Sequence, residues 1–199
     1  MGGMLPLAEV IAAVESQGER LRAEFYGAQG PRGRRGSCPL DREIEESLRE
    51  SLTRLVDCAF AGEETEPSPG ARQGEVWLVD PHDGTFEFMS GRRGSAISVA
   101  LVRGGVPVLG VVHAPESPDR GHDTIAWAEG AGPMLRNGEP VKSDLAGGAL
   151  APGEIVFATA SSAQRPETFS RAVSPARYVA MPSIAYRMAR VAAGDGVAT

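Results

Sequence analysis

A chain of 199 residues, 42% apolar and 23% charged, is long enough for one sizeable core, or for one domain and part of a second. Its net charge of −6 argues against a nucleic-acid polymer as partner, and two cysteines are too few for a disulfide scaffold or a cysteine zinc site. No basic leader precedes an apolar stretch and no apolar run reaches membrane-spanning length, so the expectation is a cytoplasmic protein with two free thiols and no membrane partner.

From Pro6 to about Phe25, Leu7, Val10, Ile11, Val14 and Leu21 recur at helical spacing, with Gly27 where a helix can stop. The loop from Gly27 to Pro39 carries Arg32, Arg34 and Arg35 and is expected to be a solvated basic loop. Leu40, Ile44, Leu48, Leu52 and Leu55 mark a second amphipathic helix. Asp41 stands at its start, where the ordinary job of an aspartate is to cap the helix. Cys58 to Ala61 is a short apolar run that predicts a strand, with Gly62-Glu63-Glu64 at its end, and a turn-rich loop leads on to Gly74.

Val76, Trp77, Leu78 and Val79 form an unbroken run of the kind that makes a buried strand, and the run stops on Asp80. Pro81 has no N–H, so pairing is expected to end there and the chain to turn, bringing Asp83 back toward Asp80. Two carboxylates in one small volume raise each other's pKa unless a cation lies between them, and such oxygen ligands suit Mg²⁺, Ca²⁺ or Mn²⁺. If Thr85 opens a helix, its free N–H groups form an anion site beside the cations. The same residues are also ordinary turn chemistry.

Ser95 to Val102 and Val106 to His113 predict two strands joined by a hairpin at Arg103-Gly104-Gly105. Thr124 to Ala128 adds another strand, and Asn137-Gly138 a further tight turn. These argue for an antiparallel sheet with two helices packed on it, an α+β layer. His82, His113 and His122 are scattered rather than set at metal-ligand spacing. Gly147, Gly148, Pro152 and Gly153 mark a boundary. Beyond it come a strand at Glu154–Ala158, a helix at Pro166–Val173, a strand at Tyr178–Met181 and a helix capped by Ser183 that stops at Gly194, an α/β pattern. Val197 to Thr199 looks like the start of one more strand.

Asp41, Gly62-Glu63-Glu64 and Trp77-Leu78-Val79-Asp80-Pro81-His82-Asp83-Gly84-Thr85 together resemble the signature of the inositol monophosphatase superfamily, metal-dependent and lithium-sensitive phosphatases of sugar and nucleotide phosphates. The resemblance implies a layered αβαβα sandwich, with an α+β part over 1–146 carrying the site and the start of an α/β part over 147–199. It implies a phosphomonoester hydrolase using two or three Mg²⁺ ions held by Glu63, Asp80, the His82 carbonyl and Asp83. Asp41 and Thr85 would orient the attacking water, the N–H groups of Gly84 and Thr85 would grip the phosphate, and Ser183 would help line the substrate pocket. The His82 imidazole is expected to point away from the ions. A homodimer acting on a small sugar, inositol or nucleotide phosphate is the implied assembly and substrate class, and Phe86-Glu87-Phe88 leans toward the bisphosphate nucleotidase branch.

The sequence departs from the pattern before Asp41, where Cys38-Pro39-Leu40 stands, and a further Trp-Asp ligand pair is expected several positions past Thr199. The alternative is a catalytically inactive relative that binds a phosphorylated metabolite or a protein partner.

Overall fold

The computed structural model describes residues 4–33, 38–69, 74–143 and 148–199; Arg34, Arg35 and Gly147 of the expected loop and boundary lie outside them. Helix α1 (Leu7–Phe25) buries Leu7, Val10, Val14 and Leu21, and α2 (Pro39–Leu55) buries Leu40, Ile44, Leu48 and Leu52. Pro39 is tolerated in the first turn of α2, where an N–H has no helical partner. Cys38 is the N-cap of α2 and makes no side-chain cap bond. Asp41 therefore does not take the ordinary capping role open to an aspartate at this place: it lies inside the first turn, with its carboxylate turned into the protein.

Both helices cover one face of a seven-stranded sheet whose order runs with the chain: β1 (Ala59–Gly62), β2 (Glu75–Asp83), β3 (Ala96–Arg103), β4 (Val106–Ser117), β5 (Gly121–Ala128), β6 (Leu135–Arg136) and β7 (Glu139–Pro140). The sheet is mixed rather than wholly antiparallel, because β1 runs parallel to β2, from Ala59 opposite Val76 to Gly62 opposite Val79. Fully buried Trp77 donates its indole N–H to the Val56 carbonyl at 3.2 Å and so pins the end of α2 to this pair. Gly104 and Gly105 at one hairpin, and Asn137 and Gly138 at another, all have positive φ, the backbone that a two-residue turn between twisted strands requires.

Pairing does not end at Pro81. Asp80 pairs with Ser98 and Asp83 with Ala96, so β2 carries one extra residue between them and resumes its ladder. The bulge takes up the proline that cannot donate, and the strand continues to Asp83.

On the other face, Ala96, Ala114 and Ile125 meet Phe157, Met181 and Tyr186 in a second apolar cluster. Helix α5 (Ile184–Ala192) lies between β3 and β4 on one side and β8 (Ile155–Thr159) on the other. β8 pairs parallel with β9 (Arg177–Met181), and α4 (Pro166–Val173) packs against β9. The order helices, large sheet, helix, small sheet, helix is the αβαβα layering. A 3-10 turn at Ala160–Gln164 was not legible in the sequence. Val197 donates to the Ile155 carbonyl at 2.8 Å and Ala198 accepts from Phe157 at 2.9 Å, so the chain beyond Gly196 does begin to pair along β8.

Charged groups fasten α5 to the large sheet. Arg190, 3% exposed, bonds Asp119 through two nitrogens at 2.8 Å and Asp195 at 2.7 Å. Arg136 reaches both Asp123 and Asp195, and the Tyr186 hydroxyl bonds Ser117 and Asp123. Asp195→Ala removes an acceptor from two half-buried or buried arginines and is expected to cost about 3 kcal/mol of stability. Arg42→Ala, which breaks the exposed pair with Glu46, is expected to change it by less than about 0.5 kcal/mol. Urea unfolding of the two variants checks the contrast.

Candidate active site

The parallel register of β1 and β2 decides where the carboxylates fall. Because Gly62 is opposite Val79, the residues that follow, Glu63 just past the end of β1 and Asp80 still within β2, lie side by side. An antiparallel pair would have sent them to opposite ends. Burial pushes the Asp80 carboxyl up, to about 7, against the lowering effect of the His82 N–H that it accepts at 2.9 Å. The charges of Glu63 and Asp83 and a hydrogen bond shared with Glu63 add to the rise. Glu64 is also raised, by burial first and then by Asp41 and Glu63.

The turn that presents Glu63 is shaped from behind by a residue that the sequence reading missed. Glu45 of α2 is fully buried. One of its oxygens accepts the Glu64 N–H at 2.7 Å and the other the Thr65 hydroxyl at 2.5 Å. A Cβ on Gly62 would stand 2.1 Å from that carboxyl carbon, so any larger residue there would displace the Glu45 carboxylate from this turn. Arg49, one turn further along α2, bonds Thr65, Ser68 and the Glu66 carbonyl. Asp41, Glu45 and Arg49 recur every four residues on α2, a polar line beside the apolar one; that spacing was the signal available in the sequence.

Beyond the bulge, Gly84 takes φ 98°, and a Cβ there would lie 3.0 Å from Pro182. It opens α3 (Thr85–Met89), as expected of Thr85. The Thr85 hydroxyl lies 2.7 Å from the His82 carbonyl and 3.3 Å from Asp41 Oδ2. The His82 ring is 2% exposed; its nitrogens meet Asp41 Oδ1 at 2.7 Å and Ser95 Oγ at 3.2 Å, and it stands edge-on to Phe88. The imidazole thus turns toward Asp41, away from the Glu63 and Asp80 pair.

Asp83 faces the second layer. Its Oδ2 accepts the Ser183 hydroxyl at 2.7 Å and the Ala185 N–H at 2.8 Å, while Ser183 caps α5 by accepting the Tyr186 N–H at 2.9 Å. Ser183 is fully buried, so its hydroxyl serves Asp83 and the helix rather than an open pocket wall. Arg32, 58% exposed in its side chain, is held by Glu24 at 2.9 Å.

Among the described residues, no three His, Cys, Asp or Glu side chains are gathered closely enough to hold a metal ion by themselves. A pair is gathered, Glu63 and Asp80, and its mutual repulsion helps keep one proton in place near neutrality. The hydrogen bonds to Asp83 fall on its Oδ2. An oxygen-only set of this kind fits a hard divalent cation that takes its remaining ligands from water.

The sequence profile described as "Inositol monophosphatase family" matches residues 37–199, and the chain belongs to that family. It is 31% identical over 127 residues to an inositol monophosphatase of Mesembryanthemum crystallinum, covering 58% of this chain and 47% of that protein. It is 43% identical over 74 residues to the 3'(2'),5'-bisphosphate nucleotidase CysQ of Salmonella typhimurium, covering 36% of this chain and 29% of that protein. The solved structure of the extragenic suppressor protein suhB from Bartonella henselae superposes with a TM-score of 0.72 at 23% identity, covering 94% of this chain and 74% of that one, a likeness of fold. The chain spans less than half the length of the curated relatives it matches.

Asp80 gives a pH signature. Its carboxyl is raised from 3.8 to about 7 in the fold, so the folded state holds a proton that the unfolded chain releases. Its contribution to the metal-free fold is complete below about pH 4 and is lost as pH rises through about 7. A divalent cation competes with that proton, so Mg²⁺ is expected to raise the melting temperature more at about pH 8 than at about pH 5.5. An equal shift at both pH values, or an unchanged difference in Asp80→Asn, would contradict this assignment.

Proposed function

We propose that this chain is the site-bearing part of a Mg²⁺-dependent phosphomonoester hydrolase acting on a small sugar, inositol or nucleotide phosphate. The observation that carries the reading is the Glu63 and Asp80 pair just past the parallel register of β1 and β2, one carboxyl raised to about 7, with the Asp41 and Thr85 pair beside it. Residues 1–146 supply the charged groups, and 147–199 form the second layer that fastens Asp83.

In this reading Glu63, Asp80, Asp83 and the His82 carbonyl would hold Mg²⁺. The chemistry that such an ion would supply there is neutralisation of charge on the ester and activation of water for an in-line displacement. The rest of the work belongs to the chain. The Thr85 hydroxyl lies closer to the His82 carbonyl than to Asp41 Oδ2; with its proton turned to Asp41, the Thr85 oxygen would accept a hydrogen bond from water and so orient it. Gly84 and Thr85 open α3, where backbone N–H groups have no helical carbonyl to meet, and these would bind phosphate oxygens. Among the described residues no helix is long and apolar enough to cross a membrane; a cytoplasmic location and a homodimer belong to this proposal through the family resemblance alone. The similarity to CysQ and the Phe86-Glu87-Phe88 segment support a nucleotide among the substrates.

One observation favours a second reading, binding without turnover: Asp83 Oδ2 already has two donors, and no three side chains enclose an ion among the described residues. Phosphate release from sugar phosphates and nucleoside bisphosphates, with and without Mg²⁺, separates the two. Turnover that depends on Mg²⁺ supports the hydrolase; Mg²⁺ binding with no release supports the binding protein. In the first case Asp83→Asn is expected to lower release by about 100-fold or more with the fold intact. Asp41→Asn should lower kcat by a similar factor without loss of α2 helicity, since Asp41 does not cap that helix.

A further inference from the structure

Between Pro81 and Asp83 the chain carries an imidazole. That ring sits in a closed chain of hydrogen bonds. Asp41 Oδ1 is 2.7 Å from His82 Nδ1, and His82 Nε2 is 3.2 Å from Ser95 Oγ. All three residues are buried: Asp41 is 2% exposed, His82 2% and Ser95 4%. The order Asp, His, Ser matches that of a hydrolytic triad, but a hydroxyl this deeply buried meets no substrate, so Ser95 is not a nucleophile.

The direction of each bond is set by what the groups can give. A carboxylate only accepts, so Nδ1 carries the hydrogen that lies between it and Asp41. In the neutral ring Nε2 is then an acceptor, and the Ser95 hydroxyl donates to it. Asp41 has one oxygen bound to His82 and the other turned to Thr85. Thr85 has a single proton and two acceptors, Asp41 Oδ2 at 3.3 Å and the His82 carbonyl at 2.7 Å. The orientation of the Asp41 carboxylate therefore decides whether the Thr85 proton can be drawn away from the carbonyl. Phe88, edge-on to the ring with centroids 4.4 Å apart, keeps the imidazole from swinging.

We propose that the His82 imidazole, itself held by Ser95, is a positioning residue that locks the Asp41 carboxylate with its second oxygen facing Thr85. The proposal rests on the hydrolase reading above and deepens it. His82 has two distinct contributions in this account: its carbonyl belongs to the cation site, and its ring acts only through Asp41. Swapping the ring for an amide separates the two bonds. In His82→Asn the amide nitrogen takes the place of Nδ1 and keeps the bond to Asp41; in His82→Gln the amide reaches the place of Nε2 and keeps only a bond to Ser95, its oxygen accepting from the hydroxyl or its nitrogen donating to the Ser95 oxygen with the direction reversed.

The experiment pairs kinetics with nitrogen-15 NMR of histidine-labelled full chain. His82→Gln is expected to lower kcat by about 10- to 100-fold with KM within about twofold, and His82→Asn to recover most of that loss. The His82 resonances, identified by their absence in His82→Asn, should show a protonated Nδ1 whose hydrogen exchanges slowly and becomes fast-exchanging in Asp41→Asn. A bare Nδ1 in the wild-type chain overturns the proposal whatever the kinetics. Equal kcat in wild type and His82→Gln overturns it even with the right tautomer. No turnover in the wild-type chain with Mg²⁺, alongside a protonated Nδ1, instead sinks the hydrolase reading, and the catalytic role of the ring falls with it while the hydrogen bond stands.

Discussion

The structure depends on one pairing, that of β1 beside β2 in parallel register. Where two strands run the same way in register, the residues that follow their last shared pair are forced together, even though β2 itself runs on to Asp83 beside β3. In this chain those residues are Glu63 and Asp80. Left to themselves, two carboxylates would separate to relieve their repulsion, but the sheet ladder, the indole of Trp77 and the clamp of Glu45 hold their backbones fixed. Burial first, and the repulsion after it, then favour a retained proton on Asp80 instead of movement.

The second organising feature is the polar line along α2. A helix that faces a core is normally read for its apolar stripe, and α2 has one in Leu40, Ile44, Leu48 and Leu52. One position further round, Asp41, Glu45 and Arg49 each enter the protein to fix a different loop: the α3 turn, the Gly62 to Thr65 turn, and the segment as far as Ser68. Each of these side chains is buried or half-buried and meets partners suited to its charge, which is why the helix tolerates them. One rigid rod therefore sets the relative position of the stretch from Gly62 to Ser68 and the α3 turn, which are far apart in sequence.

Much of this was legible in the residues. The strand at Val76 to Val79, the hairpins at Gly104-Gly105 and Asn137-Gly138, the helix over Pro166–Val173 and the Ser183 cap all arise from local chemistry, and the structure contains them. The parallel sense of β1 was not legible, because direction is decided by the loop that returns the chain and by pairing partners, neither of which alternation of apolar residues reports. The continuation of β2 past Pro81 was misjudged for a related reason: a proline forbids one hydrogen bond, and a bulge supplies a position where none is needed. Asp41 shows the limit of a local rule. Its place in the first turn suggested a cap, yet a buried imidazole and a threonine 41 and 44 positions away hold its oxygens.

The bond between Asp83 and α5 has a mechanical consequence. Ser183 and Ala185 give Asp83 two donors from the layer behind the large sheet, and so spread part of its negative charge over that helix. Sliding α5 by even one hydrogen-bond length would return that charge to a spot already crowded by Glu63 and Asp80. The cost of slippage is thus electrostatic as well as apolar, and the two sheets keep their alignment because misalignment would concentrate like charge at a single point.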